Sequence, residues 1–313
     1  MPSSPPAPPA TLSYASADLY NPAFLFPLFT ISAGLCLAFQ PILLAISGWP
    51  APDHHTLLAA LLCVSSLAGI LVLSSGVIPH LSHAARSALL IGGVSLFVLL
   101  NLASPVTSAT MGFFNVDGVW TAITAICMPV EEAASFVVVA YLLLSVPARP
   151  DALARPFTVG QRKIIALWMS ILGVYHTLIF GGGGVIFTFL LYRENHITPN
   201  TQALLYLPPT LLLALAGPAF LISAIATWLG RAWAPRLALI TWSIIALVYL
   251  TNYSLQFSQI IRSGITLSAV ASTLNGLLYT WMQLTTWFIP LWLLHKTKAQ
   301  WLGQLPVSPQ LYR

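Results

Sequence analysis

The sequence predicts an all-α polytopic membrane protein with eight transmembrane helices, and three observations predict it. The first is composition: 58% of the 313 residues are hydrophobic and only 6% are charged, with a mean hydropathy of +0.85, outside the range of soluble globular domains. The second is length, because eight apolar stretches each reach the roughly 20 residues needed to cross about 30 Å of hydrocarbon. The third is the charge of the loops. If every stretch crosses once, Arg86, Arg149, Arg155, Arg162, Lys163, Arg231, Arg236, Lys296, Lys298 and Arg313 share one side, and only Arg193 and Arg262 lie on the other. That bias makes the side of both termini cytosolic. It also accounts for the net charge of +5 as topology rather than as a nucleic-acid footprint.

Taken in order, residues 1–22 are rich in Pro, Ser and Ala and lack a basic region followed by an apolar core, so they read as a disordered cytosolic tail. The first span, 23–47, then acts as the targeting signal. Spans 57–78 and 87–107 follow, the latter opening just after Arg86 and carrying Asn101. Span 120–146 contains the sequence Pro129-Val130-Glu131-Glu132. Span 163–192 is long and interrupted by Gly181 to Gly184, so its shape is open between one broken crossing and a re-entrant pair; the loop charges favour a crossing. Spans 203–228, 237–259 and 270–294 complete the transmembrane domain of 23–295, and 296–313 is a cytosolic tail. Cys36, Cys63 and Cys127 all fall inside spans, where they read as small apolar residues.

Spacing predicts a tandem repeat. Asn101 lies 31 residues before Glu132, and Asn252 lies 31 before Gln283. Two three-helix units, about 57–146 and 203–294, are therefore expected, with an extra N-terminal helix and a linking helix, 163–192. An odd number of helices per unit requires that link to return the second copy in the same orientation.

Chemistry concentrates in the fourth span. Asp18, Asp53, Asp117, Asp151 and Glu194 fall in loops or tails, leaving Glu131 and Glu132 as the carboxylates within hydrocarbon. They sit near the midplane, where an acidic side chain costs about 2.5–3.5 kcal/mol even on insertion scales. Desolvation and mutual repulsion favour the neutral acid, so at most one of the two is ionised. A buried carboxylic acid in an apolar chamber is a proton donor. Pro129 frees the carbonyl of Ala125 and is expected to kink the helix beside the acids. The plainer alternative is a structural pair hydrogen-bonded to neighbouring spans, although no Lys or Arg within hydrocarbon is there to neutralise it.

Other candidates are weaker. His176 fits a proton relay or a satisfied core histidine, and Asn101 and Asn252 fit substrate orientation or interhelical glue equally well. Tyr249, Tyr253, Tyr279, Trp281, Trp287 and Phe136 would suit a chamber that stabilises a carbocation through ring quadrupoles, with Gln283 beside them on the eighth span. No HExxH, GxSxG, Walker loop, dinucleotide fingerprint or Asp-rich diphosphate motif occurs in the sequence. The chemistry expected therefore needs no metal or cofactor.

The stretch "NVDGVWTAITAICMPVEEAASFVVVAYLLLS" resembles the motif-bearing helix of the membrane lycopene cyclase domain family, in which Pro-x-Glu-Glu opens an aromatic-rich helix. "GFFNVDG" just upstream is similar to that family's Phe-Asn-Pro stretch. The resemblance implies tandem three-helix units with Glu131 and Glu132 as the essential acids. The Trp-Asp pair of the preceding helix is replaced here by Leu100-Asn101 and, in the second unit, by Thr251-Asn252; the second motif is replaced by Trp281-Met282-Gln283-Leu284. Those departures point away from lycopene and towards a relative with one active half, similar to the integral-membrane cyclases of fungal meroterpenoid and indole-diterpene pathways. The expectation is an isomerase-type terpene cyclase of the endoplasmic reticulum. A glutamic acid would protonate an alkene, or more easily an epoxide, of a lipophilic prenylated substrate drawn from membrane lipid, with no obligatory protein partner and no nucleic acid. The rivals are a proton-coupled transporter that loads protons on the same pair, and a non-catalytic membrane scaffold.

Overall fold

The computed structural model describes residues 22–47, 55–110, 119–145, 158–184, 201–298 and 302. Every regular element among them is a helix: α1 (Pro22–Ile46), α2 (His55–Val77), α3 (His83–Thr110), α4 (Val119–Ser145), α5 (Val159–His176), α6 (Thr201–Trp228), α7 (Ala234–Ser263) and α8 (Leu267–Lys296). The last turns of α5 widen into a π-helical segment, Thr177–Gly184. Seven of these helices, α1 to α7, are long and apolar enough to cross a membrane. At 30 residues α8 is as long as α7, but its Thr, Asn, Gln, Trp and Tyr residues lower its hydropathy. The chain is thus an all-helical, multi-pass membrane protein. The N-terminal tail expected for 1–22 lies outside the described residues up to Asn21, while Pro22 already belongs to α1. The tail expected for 296–313 is described only at 296–298 and 302, and Lys296 is the last residue of α8.

The four glycines do not break the fifth span where they begin, since the helix continues through Gly184 with a wider turn; 185–192 lie outside the described residues. Pro129 lies inside α4, which is helical from Val119 to Ser145.

Local chemistry sets the helix ends. Thr158 caps α5 through a reciprocal box: its Oγ1 accepts from the Gln161 backbone N–H at 3.1 Å, and the Gln161 Oε1 accepts from the Thr158 N–H at 2.8 Å. Gly230, at φ 74°, ends α6. The Gly230 N–H bonds the Thr227 carbonyl at 3.0 Å and the Arg231 N–H bonds the Ala226 carbonyl at 2.8 Å, the paired bonds of a Schellman turn that only a left-handed residue allows.

The helices form a ring in chain order, each packed on the next, with α8 closing against α1. The α4 and α8 helices also meet across the interior, in a contact shorter than those each makes with its ring neighbours. Two pairs are knitted by glycine. A Cβ at Gly69 on α2 would lie 2.8 Å from the Gly34 carbonyl oxygen on α1, and one at Gly217 on α6 would lie 2.9 Å from that of Gly173 on α5. Small residues let the backbones approach, which is how helices associate where lipid offers no hydrophobic drive. The outer surface is greasy: Leu99, Leu215, Leu247 and Ile225 are all more than three-fifths exposed, as expected of side chains that face acyl chains.

Candidate functional site

Both acids point inward from the middle of α4, Glu131 at 0% exposure and Glu132 at 8%. The Glu131 Oε1 accepts two hydrogen bonds, from the Ser135 hydroxyl one turn along α4 and from the Trp287 indole N–H on α8, each at 2.7 Å. Ser135 in turn accepts from the Trp168 indole N–H of α5 at 2.8 Å. Glu131 Oε2 is buried without a partner. The Glu132 Oε1 accepts from the Tyr279 hydroxyl of α8, and Gln283 Nε2 donates to that hydroxyl at 3.0 Å. Three helices are therefore tied to the pair by neutral donors: α4 itself, α5 through Trp168, and α8 through Trp287 and Tyr279.

The surroundings are apolar and tight. Phe136 beside the pair packs on Phe97 of α3 at 4.1 Å and on Phe29 of α1 at 5.4 Å between ring centroids. Glu131, Glu132, Ser135, Phe136, Met282, Gln283, Thr286 and Trp287 line a crevice of about 10 Å³, room for one water at most. None of these residues is basic, so no cation offsets a second negative charge. Two donors converge on Glu131 and one on Glu132. Tyr175 and Tyr249 lie within electrostatic range of Glu131, as does Cys36 of Glu132.

His176 is fully buried one indole ring away from the acids. Its ring stands edge-on to Trp287 at 5.2 Å between centroids. Of the sequence candidates, Glu131 is bonded to Trp287, and Glu132 to Tyr279 and through it to Gln283; Tyr249 and His176 flank them.

The remaining candidates are placed elsewhere. Asn101 donates to the carbonyl of Phe97, on its own helix, at 3.2 Å. Asn252 is half-buried on α7 and is not among the residues around either carboxylate. Tyr253 and Trp281 face a separate apolar groove of about 530 Å³ between α7 and α8, on the side of α8 turned away from the acids. There Tyr253 donates to the Gly276 carbonyl at 2.8 Å. Sequence reasoning missed Ser135 and Trp168. Ser135 was detectable as the i+4 neighbour of Glu131 on one helix face; Trp168 carries no signal that separates it from an interfacial tryptophan.

No protein-family profile, curated protein or solved structure matches the chain. Among the described residues, no group of three His, Cys, Asp or Glu side chains is arranged to hold a metal ion.

Proposed function

We propose that the chain is an integral-membrane terpene cyclase in which Glu132 protonates an alkene or epoxide of a prenyl chain and so starts carbocation cyclisation. One observation carries the reading: two adjacent carboxylates are buried at the centre of an apolar bundle, and among the described residues their hydrogen-bond donors are all neutral. Structural ties of that kind do not require acids, because amides would serve the same donors without the cost of burying charge. A proton donor does require one.

The residues divide the work. Tyr279, supported by Gln283, donates to the oxygen of Glu132 on which negative charge develops as the proton leaves. Glu131, fixed by Ser135 and Trp287, presents its unpartnered Oε2 as the countercharge for the cation that forms. The faces of Trp287 and Phe136 add quadrupole stabilisation. The crevice is closed, and a prenyl chain needs several hundred Å³, so admission requires α4 and α8 to part. Their mutual contact is less extensive than those each makes with its ring neighbours.

In this reading all eight helices span the membrane, both termini are cytosolic, the membrane is that of the endoplasmic reticulum, and α2–α4 and α6–α8 are tandem units. The resemblance of the Pro129–Glu132 motif to membrane lycopene cyclase-like proteins supports the same assignment. A proton-coupled transporter would need a polar path from the acids to both faces; around the pair, Phe136, Met282 and Trp287 alternate with Ser135, Gln283 and Thr286 in a crevice with room for one water at most.

The test is expression in a host supplied with prenylated and epoxidised prenyl precursors, comparing wild type with Glu131→Gln and Glu132→Gln by mass spectrometry. Cyclised product is expected from wild type and not from Glu132→Gln. Absence of cyclised product from every prenyl substrate, or full turnover in both glutamine variants, refutes the proposal.

A further inference from the structure

A cyclisation begun by a proton must end by losing one or by capturing water, and the acids alone do not say which. We infer that His176 is the terminal base, taking the proton that converts the final carbocation into an alkene. The inference rests on the cyclase reading above and extends it to the class of product.

The tautomer follows from a single hydrogen bond. His176 Nδ1 lies 3.0 Å from the carbonyl oxygen of Leu172, one turn back on α5. A carbonyl oxygen only accepts, so Nδ1 carries the hydrogen. In the neutral ring Nε2 then holds a free lone pair. That atom is buried and has no hydrogen-bond partner among the described residues. An unpartnered acceptor in a dry interior costs about 1–3 kcal/mol, and a group kept at that cost is available to something that is not part of the chain.

The position suits the role. A cation produced at the protonated end of a folded prenyl chain migrates away from the acid as rings close, so the base belongs at a distance from it. His176 lies across Trp287 from Glu131: the indole N–H faces the carboxylate at 2.7 Å and the imidazole stands edge-on to the same side chain. Tyr175, Phe180, Phe220 and Trp287 all place their ring centroids within 5.2–5.8 Å of the imidazole. Such a cage stabilises positive charge, first on the substrate and then on the imidazolium. The π-helical segment begins at the next residue, Thr177, and local π-helical turns recur at functional sites.

The step balances. Glu132 gives its proton to the substrate and becomes a carboxylate. At the far end Nε2 takes a proton from the carbon next to the cation, and the C–H electron pair becomes the new C=C bond. The imidazolium and the extra carboxylate, opposite charges in a low dielectric, recombine by proton return and restore both groups. No oxygen from water enters the product.

His176→Asn keeps an amide N–H for the Leu172 carbonyl and removes the base; His176→Gln places an amide nearer the Nε2 position. Both are to be compared with wild type and Glu132→Gln in membranes suspended in H₂¹⁸O, reading substrate consumed, the product profile and ¹⁸O content. Wild type should give an alkene free of ¹⁸O. At least one of the two histidine variants should still consume substrate, with its products shifted to isomeric alkenes and to alcohols carrying ¹⁸O, whereas Glu132→Gln loses consumption by about 100-fold or more. An unchanged product profile in either histidine variant, or ¹⁸O in the wild-type product, overturns the role of His176 and leaves the acid in place. Equal consumption by Glu132→Gln overturns the acid, and the base falls with it.

Discussion

Replacing each acid by its amide separates a catalytic carboxylate from a structural one, and it needs no knowledge of the substrate for half of its outcome. In Glu131→Gln the side-chain oxygen still accepts from Ser135 and Trp287, the two bonds of 2.7 Å that hold it now. The amide nitrogen takes the place of Oε2, which has no partner to lose. In Glu132→Gln the retained oxygen still accepts from Tyr279. The hydrogen bonds are therefore conserved while the charge and the transferable proton disappear. An ionised carboxylate at the midplane costs about 2.5–3.5 kcal/mol on insertion scales, and an amide at either position leaves one ionisable group where there were two. Either variant should be as stable as wild type or more stable by about 1–3 kcal/mol, while turnover of a cyclisable substrate falls by about 100-fold or more. Thermal unfolding in detergent measures the first and product formation in membranes the second. A loss of more than about 1 kcal/mol in both variants would mean that the carboxylates tie the helices together as such, and the argument from burial cost would fail.

Adjacent glycines on α3 give a control on the packing. A Cβ at Gly93 would lie 2.6 Å from Val72 Cγ2 and 2.8 Å from the Ala68 carbonyl oxygen, whereas one at Gly92 meets only Leu71 Cδ1 at 3.8 Å. Since both are helix-interior sites with the same propensity gain, Gly93→Ala should be less stable than Gly92→Ala by about 1–3 kcal/mol; equal melting temperatures would refute the α2–α3 contact. Trp287→Phe keeps a ring beside His176 and removes the donor to Glu131, so product formation should fall by about 10-fold or more, the worth of a hydrogen bond to a charged group. Activity within twofold of wild type would dissociate Trp287 from the acid. At the end of α8, partial burial and the nearby Lys296, Arg236 and Lys298 hold the His295 imidazole below its ordinary value. Folding therefore favours neutral His295, and as pH falls below about 6.5 the unfolded state binds the extra proton, so stability is lost. His295→Gln should flatten the decline in melting temperature between pH 7 and 5, and an identical decline would exclude His295 as its source.

The fold was readable in the sequence where the signal is an average and obscure where it is a single contact. Span positions follow from hydropathy over twenty residues, and α1 to α4 begin and end within a few residues of expectation. The start of α5 came out four residues earlier than its apolar stretch, because Thr158 and Gln161 cap it with polar groups that a hydropathy window discards. Glu131 and Glu132 stood out because two acids are conspicuous among Val, Ala and Leu. Their partners did not. Trp281 and Trp287 lie on one helix with the same local composition, yet one faces the lateral groove and the other bonds Glu131. That distinction is set by the packing of α8 against α4, between residues 156 apart in the chain. Asn101 and Asn252 illustrate the converse: polar residues at matching spacing drew notice, and Asn101 turns out to satisfy itself on its own helix.

In the tandem arrangement proposed above, Gln283 occupies the position in the second unit that Glu132 occupies in the first. The structure brings the two to opposite ends of one hydrogen-bond chain, Gln283 to Tyr279 to Glu132. A glutamate at both positions would put three carboxylates around a crevice that holds at most one water, with no cation lining it. Only a fraction of them could ionise, and the proton would be shared among competing sites. An amide at 283 removes the competitor and supplies a donor that orients Tyr279 on the remaining acid. Glycine knits α1 to α2 and α5 to α6, so in each proposed unit the first helix is tied through glycine to the helix before it. In the proposed reaction one side of the central α4–α8 contact carries the proton, and the other carries the groups that direct it.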